Sequence, residues 1–140
     1  MMTALVRTDD INLAWPVLWP LLERAARRTP GMTEQSVRDV IVSGHAQLWA
    51  ILEKGQPVAA VTTQITLEPE KRCRLWLVGG SRMTEWAPTF LATLEPWARA
   101  WGCTAVWGTQ SRAGWARIVR LMGGEDFGAL DGIPAWGRKI

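Results

Sequence analysis

The chain contains no tyrosine, one histidine, two cysteines and two phenylalanines. Each scarcity closes off some chemistry. Without tyrosine there is no phenol to give or take a proton. Cys73 and Cys103, with His45 as the lone histidine, cannot assemble a four-ligand zinc site, so no metal is expected. The two cysteines read instead as small buried apolar residues. No stretch reaches the ~18–20 apolar residues of a membrane-spanning helix. The opening Met1-Met2-Thr3-Ala4-Leu5-Val6-Arg7 lacks the apolar run of a signal peptide, so a soluble, cytoplasmic protein is expected. Runs of like charge are missing too. Sixteen Lys plus Arg are scattered among thirteen Asp plus Glu, for a net charge of +3, which asks for no nucleic-acid partner. Internal repeats, low-complexity tracts and linkers are also absent.

Tryptophan is what the chain has in excess, with ten residues. A buried indole removes a large apolar area from water while its N–H still needs a partner. Most of the ten are therefore expected in the core and a few along a pocket. With 48% hydrophobic residues, residues 1–140 suffice for one compact domain with a sizeable core.

Thr8-Asp9-Asp10 offers N-cap residues before a helical apolar spacing through Ile11, Trp15, Leu18 and Leu22. Pro16 fits an early turn, and Pro20 is expected to kink or restart this helix. Thr33 opens a second helix through Val37, Val40 and Ile41, ending at Gly44. The period then shortens to that of strands. Residues 47–52, the β-branched 57–67, and 72–78, joined by short turns, predict an antiparallel meander. Thr84 to Trp101 returns to helical spacing, with Trp86, Phe90, Leu91, Leu94 and Trp97 on one face and Pro88 in the first turn. Cys103–Trp107 reads as a short buried strand and residues 111–122 as another helix. Phe127–Leu130 and Ile133–Ile140 read as two last strands around Asp131-Gly132. The predicted order is α-α-β-β-β-α-β-α-β-β: an α/β (α+β) domain with a mixed sheet of about six strands and at least one parallel crossover.

Two stretches carry a family resemblance. Leu94-Glu95-Pro96-Trp97-Ala98-Arg99-Ala100-Trp101-Gly102 follows a "leucine, glutamate, x, x, alanine, arginine, x, x, glycine" pattern, and Arg117-Ile118-Val119-Arg120-Leu121-Met122-Gly123-Gly124 is a helix end with a glycine stop. With the element order, they resemble the third and fourth helices of the GNAT superfamily of N-acetyltransferases over nearly the whole chain. That resemblance implies acetyl-CoA held where two central strands splay apart, its pantetheine on the edge of the fourth strand and its pyrophosphate at the next helix N-terminus. It also implies a loop reading "Gln or Arg, x, x, Gly, x, Gly or Ala". Counting back from Gly102 places this loop on Arg82-Met83-Thr84-Glu85-Trp86-Ala87. Val78, Gly79, Gly80, Ser81, Arg82 and Ala87 thus become the implied cofactor-binding residues. Glu85 stands where the family has glycine. Its side chain hinders close approach and its charge repels phosphate, although a helix-capping role explains it equally well.

The resemblance also implies a carboxylate base on the central strands and a tyrosine acid on the fourth helix. The tyrosine position falls here on Val119, and the strands at 72–78 and 103–107 carry no carboxylate. Ser111 or Cys103 are stand-ins for the acid, and Glu68, Glu70 or His45 for the base. Each reads equally as a loop or surface residue. The implied function is acetyl-CoA-dependent acyl transfer to an unknown amine with degenerate catalytic machinery. The alternative is a GNAT-shaped binding or assembly module. The flavour of Gly114-Trp115 is similar to small GNAT-like proteins of tailed phages and prophages, which would make phage structural proteins its partners.

Overall fold

The computed structural model describes residues 1–109, 120 and 123–140; the helix expected over 111–122, Arg120 apart, lies outside them. Strand β1 (Met2–Leu5) leads through a single 3-10 turn into helix α1 (Ile11–Arg27) and helix α2 (Glu34–Val42). Strands β2 (Gln47–Glu53), β3 (Gln56–Thr66) and β4 (Arg72–Gly80) form the meander. Helix α3 (Met83–Ala100) crosses to β5 (Ala105–Thr109), and β6 (Glu125–Leu130) and β7 (Ile133–Lys139) close the chain. The seven strands make one sheet in the order β1-β2-β3-β4-β5-β7-β6, with β4–β5 the parallel pair.

The sheet is covered on both faces, which is why its middle strands are near-continuous apolar runs. Side chains alternate along a strand, so Leu48 and Ala50 of β2 join Trp15, Leu18, Leu22, Val37 and Ile41 under α1 and α2. Trp49 and Ile51 point the other way, to Trp86, Phe90, Leu91 and Leu94 of α3. Trp49 meets Trp97 and Phe90 edge-on, with centroids 5.2 and 6.0 Å apart, and its indole N–H donates to Thr63 Oγ1 at 2.9 Å. Both cysteines are buried and unpaired, as their scarcity implied.

Four expectations change. A seventh strand, β1, appears because its four residues pair antiparallel with β2, a gain that only the finished sheet provides. Pro20 does not break α1. Pro16 and Pro20 both lie on its exposed face, while the opposite face buries two stacked tryptophans, Trp15 and Trp19, 5.4 Å apart. Pro88 is the sixth residue of α3 rather than a first-turn residue, again on an exposed face. Finally, β5 starts two residues later than expected and includes Thr109, because pairing with β7 over Ala105–Thr109 sets its bounds. The β6–β7 hairpin turns at Asp131-Gly132, with both residues at positive φ (52° and 80°), as a tight two-residue loop requires.

Candidate functional site

The parallel pair β4–β5 is incomplete. Only Cys73–Leu75 pair with Val106–Gly108, although β4 continues to Gly80. From Trp76 onward the β4 edge that faces β5 has no strand partner among the described residues. A bulge marks the parting point. Thr62 of β3 opposes Leu77 and Thr63 opposes Leu75, leaving Trp76 as the extra residue. A bulge bends its strand and steepens its twist, which swings the end of β4 away from β5. The buried Thr62 hydroxyl accepts the Leu77 N–H at 2.9 Å and holds that geometry.

The opening between the strands is a narrow apolar slot. Leu75 and Val78 of β4, Trp107 and Gly108 of β5, and Ala87 and Phe90 of α3 line it, with Trp136 of β7 alongside. Among the described residues no carboxylate lines it. Arg138 is the single charged residue on its wall among the described residues, and its Nε lies 3.1 Å from the buried Glu95 carboxylate. Trp107 is held in place from behind. Its indole N–H donates to Thr66 Oγ1 at 3.2 Å, and the Arg74 guanidinium sits 5.5 Å from its ring while donating to Thr109 Oγ1 at 3.4 Å. Burial pulls the Arg74 pKa below its ordinary value.

At the open end, β4 finishes on Gly79 and Gly80, and both are demanded by close packing. A Cβ on Gly79 would stand 1.8 Å from the Leu21 carbonyl of α1, and one on Gly80 (φ +117°) 2.5 Å from Ala59 Cα of β3. Ser81 follows, its N–H donating to the Val58 carbonyl at 3.1 Å and its carbonyl accepting the Trp86 indole N–H at 2.9 Å. Arg82 takes the left-handed conformation (φ 63°) and stands at the N-cap of α3. Its guanidinium is gripped by Glu53 on both carboxylate oxygens and by Glu85, with Nε 2.7 Å from Glu85 Oε2. These bonds raise the Arg82 pKa and lower that of Glu53. Glu85 therefore neither caps the helix backbone nor stands alone, because it shares the Arg82 charge with Glu53. The sum over the three side chains is one net negative charge.

Val78, Gly79, Gly80, Ser81 and Arg82 thus gather at the open end, with Ala87 on the slot wall. The acid and base stand-ins do not join them. Glu68 sits in the exposed turn before β4, at the strand end opposite Gly79. Glu70 accepts the Thr104 hydroxyl at 2.8 Å, tying that turn to the start of β5. His45 Nδ1 lies 2.8 Å from Ser43 Oγ in the turn before β2. Cys103 is buried beside the closed, paired end of β4 and β5, and its thiol is pushed up by burial. Ser111 lies outside the described residues. Sequence reasoning missed the bulge and the Glu53–Arg82–Glu85 cluster, since Glu53 reaches Arg82 only through strand pairing.

No protein-family model and no curated protein matches the chain by sequence. Solved structures do match its fold. An aminoglycoside 6′-acetyltransferase type Ii superposes with a TM-score of 0.77 at 11% identity, over 99% of this chain and 97% of that one. A ribosomal-protein-alanine N-acetyltransferase from Brucella melitensis gives 0.65 at 14% over the whole of both chains. The PaiA N-acetyltransferase from Thermoplasma acidophilum, in complex with coenzyme A, gives 0.67 at 9%, again over the whole of both. The chain has the GNAT fold. Within that GNAT frame the incomplete β4–β5 pair, its bulge and the α3 N-terminus fall together at one end of the sheet. Among the described residues no helix is long and apolar enough to cross a membrane, and no group of three His, Cys, Asp or Glu is placed to hold a metal.

Proposed function

We propose that the chain binds an acyl-coenzyme A thioester, acetyl-CoA in the first instance, and transfers the acyl group to an amine. The observation that carries this reading is the unpaired β4 edge opening onto an apolar slot beside a helix N-terminus. Unpaired strand edges offer backbone N–H and C=O groups to an extended ligand. A pantetheine arm is a thin chain with two amides, which suits such an edge at Trp76–Gly80. The first turn of α3 adds N–H groups that have no partner within the helix and the positive end of its dipole, both suited to phosphate. When bound, the cofactor supplies an acyl carbon activated by a thiol leaving group.

The residues of this chain would contribute mainly position and exclusion of water. Leu75, Val78 and Trp107 confine the acyl end, which counts because holding two reactants aligned removes much of the entropic barrier. Among the described residues no side chain on the slot wall is a free base or acid, since Arg138 is tied to Glu95. The amine must then enter neutral, and its protons leave through water. A slow transferase whose rate rises with pH through the ionisation of its acceptor is the expected behaviour. Calorimetric titration with acetyl-CoA tests the reading. Micromolar binding that is abolished by Val78→Phe, which fills the slot, supports it. Absence of heat at millimolar cofactor overturns it. Gly80 is unsuitable for that experiment, because any side chain there collides with β3.

A further inference from the structure

The loop cation that the family pattern assigns to phosphate is already engaged here. Arg82 serves two carboxylates, and the Glu53–Arg82–Glu85 cluster keeps a net negative charge beside the open end of the site. A phosphate approaching from the loop side meets that charge. The opposite wall has the reverse sign. A cleft of about 380 Å³ lies between the second half of α1 and the end of β4, and its lining includes Arg24, Arg28, Gly79, Gly80 and Met83. Among the described residues no acidic side chain lines it. It shares Val78 and Trp86 with the lining of the apolar slot, so the two are adjacent.

Arg24 and Arg28 are four residues apart and therefore on one face of the helix. Both are exposed, and neither makes an ion pair among the described residues, whereas the intervening Arg27 is paired with Glu23. Cations near a helix C-terminus complement its dipole. That general role does not account for two of them lining a cleft on the site while the loop arginine is neutralised.

We infer that Arg24 and Arg28 form the anion-binding pair of this site and take the diphosphate of a nucleotide-type ligand from the α1 side. The assignment rests on the thioester reading above for the identity of that ligand, and on charge and geometry for the pair itself. Guanidinium groups suit it because their planar forks grip phosphate oxygens two at a time.

The test compares the intact chain, the Arg24→Gln/Arg28→Gln double variant and an Arg27→Gln control in titrations with coenzyme A, pantetheine and inorganic pyrophosphate. Coenzyme A affinity should fall about tenfold in the double variant, with a shallower salt dependence, and stay within about twofold in the control. Pantetheine, which has no phosphate, should bind all three alike, and pyrophosphate should bind only where the pair is present. Equal coenzyme A affinity in the double variant and the intact chain overturns the pair and leaves the thioester reading standing. Pyrophosphate binding that needs the arginines, without coenzyme A binding, keeps the pair and overturns the thioester reading. An equal loss for pantetheine, or no binding of either anion by the intact chain, sinks the pair.

Discussion

Thr62→Val isolates the device that opens the site. The substitution keeps shape and β-propensity, so it creates almost no cavity and little strand penalty. What it removes is the hydroxyl that accepts the Leu77 N–H at 2.9 Å, at a position with no solvent exposure. A buried donor left without its acceptor costs about 1–3 kcal/mol. For a domain of this size each kcal/mol moves the melting temperature by roughly 3–4 °C, so a fall of about 3–12 °C is expected. Thr3 provides the opposite case. Its hydroxyl is also buried but makes no hydrogen bond among the described residues, so Thr3→Val should be neutral or stabilising. Tryptophan fluorescence and circular dichroism melts on the two variants read the difference. A Thr62→Val melting point within about a degree of the parent, or equal losses at both positions, would refute the claim that the bulge is held by this bond.

Two further perturbations probe the packing around the site. Gly79→Ala brings a methyl group against the Leu21 carbonyl and must lift α1 from β4, at a cost of about 1–3 kcal/mol, read as a lower urea midpoint; an unchanged midpoint would mean that the contact is looser than described. Burial, reinforced by the neighbouring Cys103, pushes the Cys73 thiol up from 9.0 to about 12. The folded state therefore favours the protonated thiol while the unfolded chain ionises first. This contribution is complete below pH 9.0 and drains away as pH rises toward about 12. Cys73→Val should flatten that alkaline decline in stability, and native protein at pH 8 should leave Cys73 unreacted with a thiol reagent until it unfolds.

Much of the architecture was legible because helix and strand differ in hydrophobic period. The three-strand meander, the α3 stripe of Trp86, Phe90, Leu94 and Trp97, and the opening of α2 at Thr33 all follow from neighbours in sequence. The loop from Gly79 to Arg82 between a strand and a helix was also legible from its two glycines, whereas its assignment to a cofactor came from the family resemblance alone. Other features were not. The four residues of β1 have no strong pattern of their own and become a strand only against β2. Pro20 was misjudged because local preference counts a lost hydrogen bond, while the helix gains a buried face along its whole length.

The candidate site divides along the same line. Composition alone excluded a tyrosine acid and a four-ligand zinc site, because a missing side chain cannot be restored by folding. The bulge at Trp76, the parting of β4 from β5, and the capture of Arg82 by Glu53 depend on register between strands, which brings together residues far apart in the chain. So does the contrast between a neutralised loop arginine and two arginines on α1 that make no ion pair among the described residues. Charge can be counted in a sequence, but which charges cancel is decided by distances that only the packed sheet and helices set.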